Sequence, residues 1–162
     1  MKTAVIYYSL DGNCALVAET IKTELNAEVF EIKTKDNKKR SGFIKFIWGV
    51  SQVVKVMTKN KPELLPLSID INAFDLIILG TPVWAGSPVP AMVSFLAKTE
   101  LAGKKTALFC CHGGGKGNAF GKLKALLPGN SIVGEIDFMN PARTGRAAVK
   151  EKIGEWVKTL GV

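Results

Sequence analysis

Three short stretches of this chain gather the residue types that bind or react. Ser9-Leu10-Asp11-Gly12-Asn13-Cys14 brings a hydroxyl, a carboxylate, an amide, a thiol and a glycine into six positions. Where such a stretch opens a helix, unpaired backbone N–H groups and the positive end of the helix dipole face outward. Ser9, Gly12 and Asn13 are small enough to let a phosphate reach them. An ordinary capped turn between a strand and a helix explains the same residues equally well. The second stretch, Gly80-Thr81-Pro82-Val83-Trp84-Ala85-Gly86-Ser87-Pro88, sets one large aromatic among loop-forming residues. Trp84 can offer a flat π-surface to a planar ligand or fold down as a lid on the core. Gly86 lets the Ala85–Gly86 peptide take more than one orientation at little steric cost.

The third stretch, His112-Gly113-Gly114-Gly115-Lys116-Gly117-Asn118, follows Cys111 and suits close wrapping around a ring or phosphate, or a flexible turn. His112 is the only histidine. It is the candidate for a catalytic proton exchange or a ligand hydrogen bond, with a purely structural role as the alternative. Without a second histidine or a paired acid beside it, no metal site is expected. Neither G-x-G-x-x-G nor G-x-x-x-x-G-K-[ST] occurs, so the dinucleotide and P-loop motifs are absent. At a helix start the Cys14 thiol sits in a field that lowers a thiol pKa, although a bound phosphate would oppose that effect. Cys110 and Cys111 are adjacent on a strand, where successive side chains face opposite ways. That arrangement reads as two small apolar fillers and not as a redox pair.

The elements that must position these stretches alternate along the chain. An apolar strand opens at Val5, and residues 15–25 then repeat Leu16, Val17, Thr20, Ile21 and Leu25 at helical spacing. Residues 27–33 alternate as a half-exposed edge strand would, residues 74–79 and 105–111 read as buried strands, and 131–139 as a fifth. Helical patterns cover 90–98, 119–127 and 147–160. Alternating strands and helices predict an α/β fold, a five-stranded parallel sheet doubly wound with helices on both faces. In such a sheet ligands collect at the carboxyl ends of the strands, where strand order reverses. All three stretches should open on that rim.

The chain has 162 residues, 47% of them hydrophobic, enough for one domain with a proper core, so residues 1–162 are expected to form a single domain. No apolar run approaches a membrane span and no signal-peptide pattern is present, which makes the cytoplasm the expected compartment and membrane attachment unexpected. The formal charge of +8 is concentrated. Between Asp36 and Pro62, Lys38, Lys39, Arg40, Lys45, Lys55, Lys59 and Lys61 face Asp36 alone, and the rest is close to balanced. Nucleic-acid binding is therefore not expected from charge. Phe43, Phe46, Ile47, Val50, Val53, Val54 and Met57 recur at helical spacing opposite Lys45, Gln52, Lys55 and Lys59, describing an amphipathic basic helix. It could cover a ligand, bind an acidic partner, guide an anionic substrate, line a dimer contact or serve simply as a crossover helix.

Tyr-Ser-Leu-Asp-Gly-Asn-Cys after strand one, Gly-Thr-Pro-Val-Trp-Ala-Gly-Ser-Pro-Val-Pro-Ala-Met after strand three and Cys-His-Gly-Gly-Gly-Lys-Gly after strand four resemble the flavodoxin family over nearly the whole chain. The resemblance implies a sheet of order 2-1-3-4-5 and FMN as cofactor. Its phosphate would be held around Ser9, Asp11, Gly12, Asn13 and Cys14. The isoalloxazine ring would lie between Thr81, Pro82, Val83, Trp84, Ala85 and Gly86 on one side and Cys111, His112, Gly113, Gly114 and Gly115 on the other. It also implies that the Ala85–Gly86 peptide reorients as flavin N5 gains a proton. Two departures stand out. Asp11 and Cys14 occupy places where threonine is common in the family, and Asp11 would repel a phosphate unless its side chain turns outward or caps the backbone. The family's mobile carriers also tend to be acidic, whereas this chain is basic. The resemblance implies an electron-transfer protein; the basic segment 38–61, against the family's usual sign, adds the expectation of an acidic redox partner docking near it, and the chain is expected to be a monomer or homodimer. The alternatives are an NAD(P)H-dependent FMN oxidoreductase of the quinone or flavin reductase type and a non-redox module for another phosphorylated ligand.

Overall fold

The first strand, β1 (Thr3–Tyr7), has no solvent face: every residue in it is buried. Ala4 and Ile6 point into one apolar cluster, Val5 and Tyr7 into another, so the strand must be covered on both sides. The computed structural model describes residues 1–35, 62–101 and 103–161. After β1 come α1 (Asn13–Leu25), β2 (Glu28–Glu31), β3 (Leu76–Trp84), β4 (Ser87–Pro88) and α2 (Pro90–Leu96). Then follow β5 (Lys105–His112), α3 (Ala119–Ala125), β6 (Ser131–Met139), α4 (Pro141–Thr144) and α5 (Arg146–Thr159). The basic amphipathic helix read between 43 and 59, and the segment 38–61 that contains it, lie outside the described residues.

Five strands run parallel in the order β2-β1-β3-β5-β6, and β4 is a short antiparallel appendage of β3. With β4 set aside, this is the expected 2-1-3-4-5 order. From β1 the chain passes to β2 on one side and then crosses to β3 on the other, so the loops after β1 and β3 diverge at that point. Met92, Phe95, Phe120 and Leu123 from α2 and α3 cover one face. Cys14, Val17, Ala18 and Ile21 from α1 and Val149, Ile153 and Trp156 from α5 cover the other. Full burial of each large apolar side chain contributes about 1.5–3 kcal/mol, so the stabilisation is shared between the central strands and the helices that cover them. The expected edge strand is β2, whose residues are exposed or half-buried. Cys110 and Cys111 point into opposite clusters, as small apolar fillers would. Among the described residues no helix is long and apolar enough to cross a membrane.

One contact shows how closely β3 and β5 fit. Gly80 is the register partner of Phe109, and the Phe109 ring lies over it, so that a Cβ at Gly80 would be 2.0 Å from Phe109 Cζ. Phe109 is fully buried and cannot swing away. Gly80→Ala is expected to cost about 1–3 kcal/mol by overpacking, read as a lower urea midpoint at constant m-value. Gly80→Ala/Phe109→Leu should recover part of that loss; no recovery would show that the ring is not the obstacle.

Candidate functional site

The turn after β1 is built by its own short polar side chains. Gly12 caps α1 with φ +88°, a left-handed conformation that glycine adopts without strain. The Asp11 carboxylate accepts the Asn13 N–H at 3.2 Å, closing an Asx turn. The Ser9 hydroxyl accepts the Ala15 N–H at 3.3 Å, and the first helical bond runs from Leu16 N–H to the Gly12 carbonyl at 2.9 Å. The Gly12 and Cys14 N–H groups have no acceptor among the described residues. A Cβ on Gly12 would meet nothing within 4 Å, and no acidic residue stands in the first turn of α1. Outward N–H groups, open space and a helix dipole form an anion cradle. The Asp11 side chain is turned into its own backbone by this bond, although its charge stays beside the cradle and raises the Cys14 thiol. A cleft of about 460 Å³ adjoins the turn, lined by Ser9, Leu10, Gly12 and Ala15 and, across it, Glu31, Lys33 and Thr34. This cleft opens toward β2 and does not reach Trp84 or His112.

Cys14 departs from the expectation. Its side chain is fully buried among Val17, Ile21 and Cys111, and only its N–H faces the cradle. Burial, reinforced by the hydrogen-bonded Cys111 thiol and neighbouring negative charge, pushes the Cys14 thiol well above its usual range. Desolvation has overridden the helix dipole. Asn13 is divided: its Oδ1 accepts the Ala142 N–H at 3.0 Å, so only its amide N–H₂ can serve a ligand.

The second stretch is not a loop but a hairpin. β3 continues to Trp84, and β4 returns beside it with Val83 opposite Pro88 and Trp84 opposite Ser87. Ala85 and Gly86 form the turn with φ of +49° and +67°. Two positive φ values in a two-residue hairpin are the type I′ pattern, which matches the twist of the strands. Thr81 and Pro82 are therefore strand residues paired with Cys110 and Cys111. Thr81 is fully buried; its hydroxyl donates to the Pro82 carbonyl at 2.9 Å and accepts the Val89 N–H at 3.1 Å. It holds the hairpin base and offers no group to a ligand. Val83 packs against the core. The Gly-Thr-Pro signal that marks a break in sequence falls beyond Gly80, the last residue of β3 paired with β1, where proline no longer interrupts that ladder. Trp84 is half-buried, its ring edge-on to Tyr8 at 6.4 Å between centroids and 90° between planes.

The freedom expected of the Ala85–Gly86 peptide is restricted. Turning that peptide over while Ala85 keeps its positive φ would carry an alanine into a region open essentially to glycine. The Gly86 carbonyl also accepts the Asn118 N–H at 3.2 Å, and a Cβ on Gly117 would be 2.5 Å from the Gly86 Cα. The hairpin tip is seated backbone to backbone on the glycine-rich stretch.

That third stretch leaves β5 at His112, and Gly113, Gly114 and Gly115 are exposed with nothing near the places where Gly114 and Gly115 would carry a Cβ. The His112 side chain is 8% exposed and its Nε2 lies 3.1 Å from Asp137 Oδ2. Lys116 Nζ donates to Asp137 Oδ1 at 2.7 Å, and Lys152 Nζ donates to the Asp137 carbonyl at 2.6 Å. An ionised carboxylate only accepts, so Nε2 carries a proton in this contact. Nδ1 is buried without a partner among the described residues. The hydrogen bond from Lys116 holds the Asp137 carboxyl below its usual range against burial, with His112 and Lys152 adding to the effect. Burial, then the charge of Asp137, raises the Cys110 thiol to about 12. Asp137 escaped the sequence reading, although an acid two residues from the end of the fifth strand is a signal of a polar group on the rim. Asn140 escaped it too; Asn-Pro directly after a strand marks a turn on the same rim. Among the described residues no three His, Cys, Asp or Glu side chains converge as metal ligands.

A doubly wound parallel sheet with an anion-binding βα turn beside its switch point, an aromatic hairpin and a glycine-rich turn defines the flavodoxin-like class of α/β proteins. The chain belongs to the flavodoxin family, whose model matches residues 2–160. A comparison with curated proteins gives no match. Among solved structures, a flavoprotein from Lactobacillus acidophilus NCFM in complex with FMN is 23% identical, with a TM-score of 0.74 over 96% of this chain and 98% of that one. A flavodoxin, WrbA-like protein from Agrobacterium tumefaciens is 17% identical, with a TM-score of 0.61 over 98% and 96% of the two chains. Flavodoxin 2 from Bacillus cereus is 18% identical, with a TM-score of 0.57 over 99% and 98%. At these identities the likeness establishes the fold.

Asp137 yields a test with a defined sign. A carboxyl held below its ordinary 3.8 stabilises the fold above that pH, and the contribution disappears as pH falls through the folded value. Asp137→Asn should therefore be clearly less stable than wild type at about pH 7, with the gap narrowing near pH 2, in urea melts at both pH values. An equal penalty at both would mean that the charge of Asp137 is not what stabilises the turn.

Proposed function

We propose that this protein binds FMN on the rim just described and transfers electrons. The observation that carries this reading is the cradle at Gly12 and Cys14, two outward N–H groups over open space with Asp11 folded into its own turn. The Ser9 hydroxyl and the Asn13 amide N–H₂ complete a donor set suited to a phosphate dianion. Trp84 supplies a half-buried aromatic surface, and Gly113 to Gly115 let backbone approach a ring closely. The residues therefore fit FMN, which when bound supplies reversible one- and two-electron chemistry. In this reading Trp84 excludes water from one side of the ring and the backbone of 112–115 binds its edge. His112 is fixed within the same turn by the contact of its Nε2 with Asp137. The FMN complex of the Lactobacillus acidophilus protein supports the assignment of the cofactor.

The absence of a dinucleotide motif favours an electron carrier over an enzyme that takes hydride from NAD(P)H. The seven cations between residues 38 and 61 favour an acidic redox partner docking near that segment. Three free, buried thiols suit a reducing compartment such as the cytoplasm.

Purified protein incubated with FMN and desalted should retain about one flavin per chain. Riboflavin should bind at least about tenfold more weakly, because charge-assisted hydrogen bonds to the phosphate contribute about 1.5–3 kcal/mol each. Retained flavin with no steady-state NAD(P)H oxidation fits the carrier. Brisk turnover without a partner would transfer the assignment to an FMN-dependent quinone or flavin reductase. No retained flavin would leave a non-redox module for another phosphorylated ligand.

A further inference from the structure

The residues that follow β6 tie the ends of the site together. Asn140 adopts φ +45° and ψ +56°, left-handed for a residue that tolerates it better than most. Its backbone N–H donates to the His112 carbonyl at 2.9 Å and its side-chain Nδ2 to the Gly113 carbonyl at 3.3 Å. Two residues on, the Ala142 N–H donates to Asn13 Oδ1 at 3.0 Å. One short turn is thus fastened both to the glycine-rich stretch and to the anion cradle. The turn is itself braced, since the Asn140 carbonyl accepts the Arg143 N–H at 2.8 Å and the Thr144 N–H at 3.1 Å, and the Thr144 hydroxyl donates to the Met139 carbonyl at 3.1 Å.

The direction of these bonds matters. In a trans peptide the C=O and the following N–H point opposite ways. No peptide here is cis, so fixing the His112 and Gly113 carbonyls toward Asn140 turns the Gly113 and Gly114 N–H groups away from it. Asn140 extends β6, and β3 with its Trp84 hairpin flanks β5 on the other side. The two N–H groups are therefore turned away from β6, on the side of β5 where β3 and its hairpin lie in the strand order, and neither has an acceptor among the described residues. We infer that Asn140 is a positioning residue that aims the Gly113 and Gly114 N–H groups, as a preset pair of donors, at an electron-rich edge of the flavin ring.

This inference rests on the FMN reading of the preceding section. It concerns the ring and not the phosphate, which sets the form of its test. Asn140→Gly keeps the left-handed backbone and the bond to His112 but removes the bond to Gly113. The loss of one positioned hydrogen bond should weaken FMN and riboflavin binding by the same factor, about three- to tenfold. The midpoint potential of the bound flavin should move to a more negative value, because donors aimed at the ring favour the charge gained on reduction. Thr144→Val removes a brace of the same turn but leaves both Asn140 bonds to the glycine-rich stretch, and should lower the melting temperature with a smaller shift of the potential than Asn140→Gly. A variant Asn140→Gly with wild-type affinities and potential, or with only a lower melting temperature, overturns the inference. So does weaker binding confined to FMN, which would place the effect at the phosphate. Failure of the wild-type protein to retain FMN would instead overturn the functional reading on which the inference stands.

Discussion

The rim depends on a sheet that has no solvent face at its centre. Because β1, β3 and β5 bury side chains both above and below, polar groups are largely excluded along their length and concentrate where the strands end. Parallel pairing places those ends side by side at one edge, so Ser9, Trp84 and His112 are assembled by topology, although long stretches of chain separate them. The register leaves little latitude: Gly80 sits under the Phe109 ring, and a slip would drive a side chain into it.

Most of that sheet was legible in the sequence. Near-continuous apolar runs at 74–79 and 105–111 describe central strands, the alternation at 27–33 describes the edge strand β2, and 131–139 coincides with β6. Periodicity records burial directly, which is why these elements can be read. The Gly80–Pro88 stretch could not be read in the same way. Glycine and proline signal a break in either a loop or a hairpin, and only the end of the β1 ladder at Gly80 explains why proline is tolerated in β3. Cys14 was misjudged for a related reason. Its position in the chain predicts exposure to the helix dipole, while its position on the helix circumference, one turn before Val17 and Ala18, buries the thiol. Asp137 and Asn140 act through partners distant in sequence, and no local pattern in a single chain reports such pairs.

The electrostatics of the rim are settled mostly within it. Asp11, the one acid in the anion-binding turn, accepts the Asn13 N–H, and Asp137 is shared between Lys116 and His112. Asp137 is thereby neutralised by Lys116, whereas Asp11 keeps its charge and is only oriented by the turn. Among the described residues, backbone N–H groups and the dipole of α1 supply positive field at the cradle. These are fixed by the fold and do not depend on mobile side chains, which favours specificity for a phosphate over general affinity for anions.

The hairpin shows what such a rim costs. Ala85 holds a left-handed conformation that disfavours an L-residue with a Cβ by roughly 1–2 kcal/mol. Nothing within the two-residue turn compensates for it. The compensation comes from outside, through the Asn118 N–H on the Gly86 carbonyl and the close seating of Gly86 on Gly117. Only glycine at 117 allows the backbones to come so near, while glycine at 86 suits the positive φ of the turn. The glycines at this edge are therefore of two kinds: Gly114 and Gly115 leave room for something to approach, whereas Gly86 and Gly117 fill the room between them. A Trp84 hairpin fixed before any ligand arrives loses little conformational entropy on binding, so the binding energy gained at the ring is not spent on ordering the loop that holds it.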